Sequence, residues 1–379
     1  MSNFANNVIV IGGCNHHNTL SVVRCIGEAG CYVELLCHGG KWGCAAGSKY
    51  IKRVRTYESE DDFMNQLRNA SNVGTGRYIL LSCDDTASHL LDIHYEELKD
   101  KYCFFNAGVE GKVSYYQDKN VQVSLAESVG AMVPASKVYS GEGRAKFEKF
   151  PCLVKPQEST NGGKKILICN SQQELDRKIQ SFADGKHVLI QQYLTKDYEI
   201  VVLGLSFHGK VAVPGFIRKI RDNKGGTTYS QVFPISELDS EIVNHSKSMI
   251  QEIGYEGLFG IEFIHNDDGY WFIEANLRND ATCYALAKAG ANLPALYVRA
   301  ALGECLEGLI NYAEVKPIHA MVELKDFKFV LKRKVTLVEW LKQLYSAECR
   351  YYYSRMDKKP LLYAILSILA NCFKKINIR

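Results

Sequence analysis

The sequence predicts an α/β unit with a parallel sheet, followed by an α+β region built on antiparallel sheets. In residues 1–115, short apolar runs alternate with helical patterns, which is typical of a parallel, doubly wound sheet. Beyond residue 150, long strand-like runs follow one another with few helices between them, which indicates antiparallel pairing. A length of 379 residues also suits two or three packed units better than one small core.

The elements of the first unit follow from its apolar runs and turn residues. Residues 7–12 form a predicted buried strand, and the Gly-Gly turn after them leads into a helix over 19–29. A helix over 119–130 and a turn at Pro134 mark the passage into the second region. The other strands predicted in the first unit are 32–37, 78–82 and 103–106.

The second region is dominated by strands, with helices predicted over 171–182 and 236–253. From about residue 306 the pattern is mixed and basic: residues 315–379 contain 14 Lys and Arg against 5 Asp and Glu, a net charge of +9. This segment is predicted to form a small basic C-terminal unit. The strand-like runs before it are 152–155, 165–169, 187–193, 198–205, 210–217 and 229–233.

Composition excludes several classes of protein. A net charge of +4, with dispersed basic residues, argues against a nucleic-acid partner. The 13 cysteines form no C-x-x-C pair, which favours reduced thiols over zinc or a disulfide scaffold. The N-terminus lacks the basic and apolar parts of a signal peptide, and no run of 18 apolar residues occurs. We therefore expect a cytoplasmic protein.

The most informative stretch is 258–280, which reads LFGIEFIHNDDGYWFIEANLRND. Two apolar runs flank a turn sequence, so a hairpin is predicted. With a three-residue loop over 267–269, Glu262 lies directly opposite Glu274, and alternation places Asn276 on the same face. A two- or four-residue loop would send Glu262 to the other face.

Two carboxylates opposed in an apolar sheet repel one another, and a divalent cation would relieve that repulsion. Two carboxylates and an amide oxygen suit a hard ion such as Mg²⁺, with Mn²⁺ as a substitute. The alternatives are that Glu262 and Glu274 lie on a solvated face, or that one of them forms an ion pair with Arg278.

Residues 151–164, PCLVKPQESTNGGK, place Lys155 at the end of a strand and a small Gly-containing loop after it. A lysine and backbone N–H groups arranged in this way suit phosphate oxygens. The Walker A pattern is absent. The alternative is a solvated lysine beside an ordinary hairpin turn.

Residues 189–199 form a strand, a short polar break and another strand. Backbone groups in the break suit the edge of an adenine, and Asp197 or Glu199 suits ribose hydroxyls. The alternative is a plain hairpin with surface acids.

Taken in order, these elements resemble the ATP-grasp superfamily, and the resemblance covers about 115–305. The resemblance depends on the order of these elements. A strand leads into Lys-Pro and a Gly loop, the break at 191–194 and the acids at 197–199 come next, and E-F…E-A-N-L-R is last. The Asp118-Lys119 pair opening a helix also matches the start of that family's nucleotide-binding region. The parallel unit at the start looks like the domain that precedes ATP-grasp in carbamoyl-phosphate-synthase-like members.

The resemblance implies three domains. A pre-ATP-grasp domain would span 1–115, an ATP-grasp domain 116–305 and a basic C-terminal subdomain 306–379. The ATP-grasp domain would be two-lobed with antiparallel sheets, with a small lobe over about 120–190 and a large lobe over about 191–305.

The resemblance also implies roles for individual residues around ATP and Mg²⁺. Arg278 would stabilise an acyl phosphate or bind the carboxylate, and it is a predicted catalytic residue together with Lys155. Two departures from the family pattern are Leu277, where a proline is common, and the Gln191-Gln192 pair, where the hinge often has a glutamate. The other implied contacts are Lys119 and Lys155 with phosphates, the loop of Ser159, Gly162 and Gly163 closing over them, Gln192, Tyr193 and Leu194 with adenine, Asp197 or Glu199 with ribose, and Glu262, Glu274 and Asn276 with Mg²⁺.

The activity implied by the resemblance is that of an ATP-dependent carboxylate–amine ligase, which forms an acyl phosphate and releases ADP and phosphate. Its substrates would be a small-molecule acid and an amine. The alternatives are thioester or carboxyl-phosphate formation, or nucleotide binding without catalysis. A nicotinamide oxidoreductase is disfavoured because the third glycine of G-x-G-x-x-G is missing after the first strand.

Three further features leave alternatives open. His16 and His17 follow the first strand and either contact the acceptor substrate or lie on the surface. Arg218, Lys219 and Arg221 either face an anion or form a solvated basic loop. The apolar segment 360–373 ends in a basic tail, which either contacts an anionic membrane or lipid-linked substrate, or forms a helix packed on the protein. A homodimer is also left open.

Overall fold

The computed structural model describes residues 7–69, 77–156, 166–182, 188–223, 226–305 and 315–376. Within these residues it contains three sheets and the helices that pack on them. The mixture of one parallel sheet and two largely antiparallel sheets confirms the predicted fold class.

The first sheet is parallel and has five strands in the order β3-β2-β1-β4-β5. Its strands are β1 (Val8–Gly13), β2 (Val33–His38), β3 (Ile51–Thr56), β4 (Tyr78–Ser82) and β5 (Tyr102–Cys103). The helices of this unit are α1 (His17–Glu28), α2 (Glu60–Arg68), α3 (Asp85–Ile93), α4 (Tyr95–Leu98) and α5 (Lys112–Tyr116). Because the strands are parallel, the carboxyl ends of β1, β2 and β4 meet at one edge of the sheet.

The second sheet is antiparallel and has four strands in the order β6-β9-β7-β8. The helix α6 (Lys119–Ser128) precedes it in the chain, and α7 (Gln172–Ile179) lies between β8 and β9 in sequence. The strands are β6 (Ser136–Tyr139), β7 (Cys152–Pro156), β8 (Leu167–Cys169) and β9 (Val188–Gln192).

The third sheet is the largest, with seven strands in the order β14-β13-β10-β11-β12-β15-β16. All its pairs are antiparallel except β15 with β16. The strands are β10 (Tyr198–Phe207), β11 (Lys210–Asn223), β12 (Gly226–Pro234), β13 (Gly257–Asn266), β14 (Gly269–Asn276), β15 (Ile318–Met321) and β16 (Cys349–Arg350). The helices between them are α8 (Ser240–Ile253), α9 (Cys283–Lys288) and α10 (Leu293–Ala301).

The C-terminal segment adds three helices, α11 (Glu323–Leu331), α12 (Leu337–Ser346) and α13 (Lys359–Ile376). Its two short strands extend the third sheet across the boundary predicted near residue 306. The division into three domains therefore stays a prediction. Among the described helices, none combines the length and the apolar character needed to cross a bilayer.

One continuous apolar core joins the first unit to the third sheet. It contains Val22 and Ile26 of α1 together with Leu203 of β10, Leu286 of α9 and Tyr297 of α10, and all of these side chains are fully buried. Asn18 reinforces this junction, because its Nδ2 donates to the carbonyls of Cys83 (2.7 Å) and Asn279 (3.0 Å). The edge of the parallel sheet is thereby fixed beside the end of β14.

Candidate active site

The β13–β14 hairpin brings Glu262 directly opposite Glu274, as predicted. The predicted turn, however, is wrong. Asn266 pairs with Gly269, which leaves a two-residue turn rather than a three-residue loop. The register then shifts between Phe263 and Glu262, and this bulge restores the pairing of the two acids. The bulge therefore corrects the one-residue change in register that the shorter turn introduces.

Side-chain contacts explain the short turn. The Oδ1 atom of Asn266 accepts hydrogen bonds from the backbone N–H of Asp268 (3.0 Å) and from Nε1 of Trp271 (2.9 Å). Gly269 has a φ of 127°, a conformation that favours glycine, and a Cβ there would lie 2.8 Å from Cε of Met132.

A lysine lies beside the acid pair. Nζ of Lys219 donates to Oε2 of Glu262 at 2.6 Å and lies 3.2 Å from Oε2 of Glu199. Burial raises the pKa of Glu262, and the charge of Glu274 adds to that effect while Lys219 opposes it. Neither glutamate is on a freely solvated face, since both side chains are partly buried. The pair is therefore electrostatically strained unless cations neutralise it.

Arg278 connects the end of β14 to the parallel sheet. Its Nη2 donates to Oδ1 of Asn276 at 2.9 Å, and its Nε donates to Oδ1 of Asp85, the first residue of α3, at 2.6 Å. The predicted alternative, an ion pair between Arg278 and one of the two glutamates, is not the contact that this guanidinium makes. Asn276 pairs with Gly260 in the ribbon, two residues along from the acid pair.

Lys119 is positioned by its helix. Asp118 caps α6 by accepting from the N–H groups of Asn120 (2.8 Å) and Val121 (3.3 Å), as the Asp-Lys pair predicts. The amide of Gln122 then exchanges two hydrogen bonds with the backbone of Ala275, at 2.8 and 2.9 Å. This contact fixes the first turn of α6 on the strand that carries Glu274.

Lys155 reaches the same region from β7 of the second sheet. Its Nζ donates to Oε1 of Gln191 at 2.9 Å. Burial lowers the pKa of Lys155 to about 8; the charge of Lys119 adds to this effect and that of Glu274 opposes it. Lys155 thus lies within electrostatic reach of both Lys119 and Glu274.

The segment predicted to bind adenine follows β9. The N–H groups of Gln192 and Tyr193 donate to the carbonyls of Ala135 (2.8 Å) and Pro151 (2.9 Å), so both already have protein partners. Leu194 follows them in the chain. The loop residues Ser159, Gly162 and Gly163 lie outside the described part of the chain.

The two predicted ribose ligands differ in their surroundings. The carboxylate of Asp197 lies 3.3 Å from Nδ1 of His265 and is more than half exposed. Glu199 is held by Lys196 (2.6 Å) and Lys219 (3.2 Å), which lower its pKa against the opposing effect of burial. Asp197 is therefore the more accessible of the two acids.

A second polar cluster lies at the carboxyl edge of the parallel sheet. Nε2 of His38 lies 2.9 Å from Oδ2 of Asp84, which also accepts from the N–H of Gly13 at 3.1 Å. The hydrogen bond to Asp84 raises the pKa of His38. Burial lowers the pKa of His16, and the charge of Lys325 on α11 lowers it further.

The two histidines of the first turn have different environments. Nδ1 of His16 accepts from the N–H of Asn18 at 3.2 Å and so caps α1. His17 is buried as the first residue of α1, with its ring edge-on to Tyr351. Of the pair, only His16 is placed to meet a ligand at this edge.

The basic residues on β11 lie within the strand rather than in a loop after it. The guanidinium of Arg218 stacks on the ring of Tyr198 at 3.9 Å, and Arg221 forms an ion pair of 2.7 Å with the buried Asp326. Both are structural contacts, whereas Lys219 belongs to the acid pair. Strand alternation could have found Lys219, because it faces Glu199 across β10 and β11.

Sequence reasoning missed Asp84, His38 and Lys325.

The two acids of the ribbon and the Asn276 amide are oxygen ligands of the kind that Mg²⁺ takes. Within the described ranges, no group of three or more His, Cys, Asp or Glu side chains has a metal-binding arrangement. A cation held by two carboxylates would therefore need further oxygen ligands, which phosphates can supply.

Known proteins resemble this chain in sequence. The family model of the ATP-grasp domain matches residues 125–288. A formate-dependent phosphoribosylglycinamide formyltransferase from Shewanella frigidimarina is 26% identical over 197 residues, which cover 48% of this chain and 48% of that protein. The alignment thus spans about half the length of that relative.

Solved structures share the fold over most of the chain. An ADP complex of N5-carboxyaminoimidazole ribonucleotide synthetase has a TM-score of 0.66 at 14% identity, covering 88% of this chain and 87% of that one. An L-amino acid ligase from Bacillus licheniformis has a TM-score of 0.62 at 16% identity, covering 84% and 80%. At these identities the likeness concerns the fold alone. The match of the family model shows an ATP-grasp domain over residues 125–288 of this chain.

Proposed function

We propose that this protein is an ATP- and Mg²⁺-dependent carboxylate–amine ligase that works through an acyl phosphate. The observation that carries the proposal is the convergence of opposed acids and basic side chains from three parts of the fold. Glu262 and Glu274 face each other on the ribbon, Lys155 approaches from the second sheet, and Arg278 links the ribbon to the parallel sheet. Activation of a carboxylate by ATP needs this combination of metal ligands and phosphate-binding cations.

The residues of the ribbon fit a magnesium ion. Burial and Glu274 both raise the pKa of Glu262, so a divalent cation between the carboxylates would be favoured. Glu262, Glu274 and Asn276 would hold Mg²⁺, or Mn²⁺ in its place. The ion would neutralise negative charge on the phosphates.

ATP would bind between the second sheet, which carries Lys155, and the ribbon, which carries the opposed acids. Lys119 and Lys155 would contact its phosphates, and the loop containing Ser159, Gly162 and Gly163 would cover them. Gln192, Tyr193 and Leu194 would border the adenine, and Asp197 would accept from the ribose, with Glu199 as the second candidate.

The chemistry requires positioning rather than a protein nucleophile. A substrate carboxylate oxygen attacks the γ-phosphorus, ADP leaves, and a mixed anhydride is formed. An amine then attacks the acyl carbon and the C–N bond forms. The C–O bond to phosphate breaks, inorganic phosphate leaves with its electrons, and the proton lost by the amine passes to solvent. Lys155 stabilises the phosphoryl group, and Arg278 stabilises the acyl phosphate or holds the carboxylate.

The acceptor amine would enter at the carboxyl edge of the parallel sheet. Gly13, His16, His38 and Asp84 line this edge, and Arg278 connects it to the ribbon through Asp85. The names of the relatives, a formate-dependent formyltransferase and an L-amino acid ligase, are compatible with carboxylate activation. The cytoplasmic location and the homodimer stay predictions.

A hydroxylamine trap tests the proposal. The protein would be incubated with ATP, Mg²⁺ and a panel of carboxylic acids, and both ADP and acyl hydroxamate would be measured. We expect one class of acid to give ADP and hydroxamate in equal amounts, because hydroxylamine captures the acyl phosphate in place of the amine.

Two variants make this test specific. Glu274→Gln should abolish turnover while the fold is retained, and Asp267→Asn, at the exposed tip of the same hairpin, should not. Near-normal Mg²⁺-dependent activity of Glu274→Gln would refute the metal assignment.

ATP binding without ADP release, under every acid and amine pair, would favour a non-catalytic nucleotide-binding protein. ADP without hydroxamate would favour another ATP-grasp outcome.

A further inference from the structure

The C-terminal helix α13 has an outward face that is apolar. Leu362, Ile365, Leu366 and Leu369 follow the spacing of one helix face, and each is exposed to solvent by 38–54%. The opposite side contains the buried residues Pro360 and Ala364. A helix on a protein surface normally places polar residues outward, so this face lacks the usual solvent-facing side chains.

The helix is anchored firmly at its start. The fully buried guanidinium of Arg24 on α1 forms an ion pair of 3.0 Å with Asp357, and it also donates to the carbonyls of Tyr351 (2.6 Å) and Tyr352 (3.0 Å). Oδ2 and Oδ1 of Asp357 also accept from Ser48 Oγ (2.8 Å) and from the N–H of Lys49 (2.9 Å). The outward face of α13 therefore has a fixed direction relative to the first unit.

An exposed tryptophan adjoins this face. Trp42 is 77% exposed, and its ring lies 5.7 Å from that of Tyr363 on α13. The loop of Trp42 also packs on the turn after β1, where the N–H of Ala45 donates to the carbonyl of Cys14 at 3.1 Å. Trp is favoured where an apolar phase meets water, because its ring is amphipathic.

The surface of the C-terminal segment that contains this helix is basic. In the described part of the C-terminal segment, nine Lys and Arg side chains are exposed, against only two acids, Glu339 and Glu348. The other three acids, Glu323, Asp326 and Asp357, are buried and satisfied internally. The exposed cations are Lys316, Lys328, Lys332, Arg333, Lys334, Lys342, Arg355, Lys358 and Lys359.

We propose that the outward face of α13, with Trp42 beside it, binds the surface of an anionic lipid bilayer. The apolar stripe would enter the boundary between headgroups and acyl chains, with the helix lying in the plane of the membrane. Lys358 and Lys359 at its start would meet the anionic headgroups, and the other exposed cations of the segment would add longer-range attraction to the anionic surface. Charge selects this occupant, because a second copy of the chain would oppose one basic surface to another.

Co-sedimentation of the full chain with vesicles tests the proposal. We expect sedimentation with vesicles of phosphatidylcholine mixed with phosphatidylglycerol, much less with phosphatidylcholine alone, and a decrease as ionic strength rises. Leu366→Glu should weaken partitioning about tenfold, because it places a charge in the apolar stripe. The matched control is Leu302→Glu at the end of α10, since Leu302 is exposed to a similar degree, 47% against 51% for Leu366.

A second variant and a measurement of oligomeric state distinguish membrane binding from unfolding and from dimer formation. Leu362→Glu serves as a second variant if Leu366→Glu unfolds, and the thermal midpoint of each variant is measured first. Absence of vesicle binding, or equal loss in Leu302→Glu and Leu366→Glu, would overturn the proposal. A dimer in sedimentation velocity that Leu366→Glu dissociates, without vesicle binding, would assign the face to a second copy and overturn it too. Because no assay here depends on turnover, failure would leave the ligase proposal unaffected.

Discussion

The Nζ atom of Lys219 lies 2.6 Å from Oε2 of Glu262, so a protein cation is paired with one of the two opposed carboxylates. The lysine side chain is only 11% exposed. Burial acts to lower the pKa of Lys219, but the charges of Glu262 and Glu199 together raise it. A divalent ion at the ribbon would therefore share its carboxylates with a fixed ammonium group.

Replacing this lysine should make the protein more dependent on Mg²⁺ for stability. Lys219→Met leaves Glu199 and Glu262 without their shared cation, and breaking such a pair costs about 3 kcal/mol. We expect a lower thermal midpoint and a larger rise on adding Mg²⁺ than in the wild type. The measurement is thermal unfolding over a Mg²⁺ series at constant ionic strength.

Lys196 provides the matched control for Lys219. It also contacts Glu199, at 2.6 Å, but it is nearly half exposed. Lys196→Met should behave almost like the wild type, because exposed ion pairs contribute little. An equal Mg²⁺ response in both variants would argue against a cation site at the ribbon.

Nucleotide affinity should fall as the pH rises through about 8, the pKa of Lys155. Below that pH the ammonium is charged and attracts phosphate, whereas above it the amine is neutral. For a binding step that requires the charge, affinity drops by up to about tenfold per pH unit. The dissociation constant of ATP, measured from pH 7 to 10 by calorimetry, checks this expectation.

The same pKa also gives the sign of the effect on stability. Because burial lowers the pKa of Lys155 below its value in the unfolded chain, the unfolded state binds more protons between the two values. The unfavourable contribution of Lys155 is therefore complete below about pH 8 and is relieved as the pH rises above it. Lys155→Arg should flatten the pH profile of ATP affinity. Lys325→Arg, which removes another lysine with a pKa of about 8, should leave that profile unchanged. A sloping profile in Lys155→Arg would assign the titration elsewhere.

Arg278 should matter for turnover more than for ATP affinity. Arg278→Lys keeps the charge but loses the planar group that contacts Asn276 and Asp85 together. We expect kcat to fall on the order of 100-fold, since one positioned donor to a developing anion has that effect. Steady-state kinetics with ATP and the acid varied in turn measures both parameters.

The partner of Arg278 supplies the comparison. Asp85 is mostly exposed, so Asp85→Asn should change kcat only slightly. If both variants lowered kcat equally, Arg278 would be acting through the Asp85 contact, as a positioning residue. An unchanged kcat in Arg278→Lys would remove this arginine from the reaction.

The sequence could predict those parts of the fold that depend on local patterns. Strand β4 (Tyr78–Ser82) matches its predicted bounds because five apolar or small residues lie between clear turn signals. The pairing of Glu262 with Glu274 could also be predicted, but the turn and the bulge that produce it could not. A two-residue turn with a bulge and a three-residue loop without one give the same pairing of the acids, and the contacts of Asn266 select the first.

Contacts between distant residues were beyond sequence reasoning. Lys325 influences His16 from 309 positions away, and Arg24 pairs with Asp357 across 333 positions. No periodicity or spacing encodes such contacts, because they depend on how complete units pack. The apolar character of segment 360–373 was visible, whereas the side of α13 that faces outward depends on that packing.

The Arg24–Asp357 pair should be a large contributor to stability. Both side chains are buried, and Arg24→Met would leave the carboxylate of Asp357 without its cation. Removing one partner of a buried pair costs about 3–5 kcal/mol. We expect the thermal midpoint to fall clearly, and we expect hydrogen exchange to show that the loss of protection is concentrated in the C-terminal segment.

Arg68→Met, which breaks the exposed contact with Glu97, is the control and should leave both measurements unchanged. If hydrogen exchange in α13 were equal in Arg24→Met and the wild type, the anchoring of that helix would have to come from its apolar contacts alone.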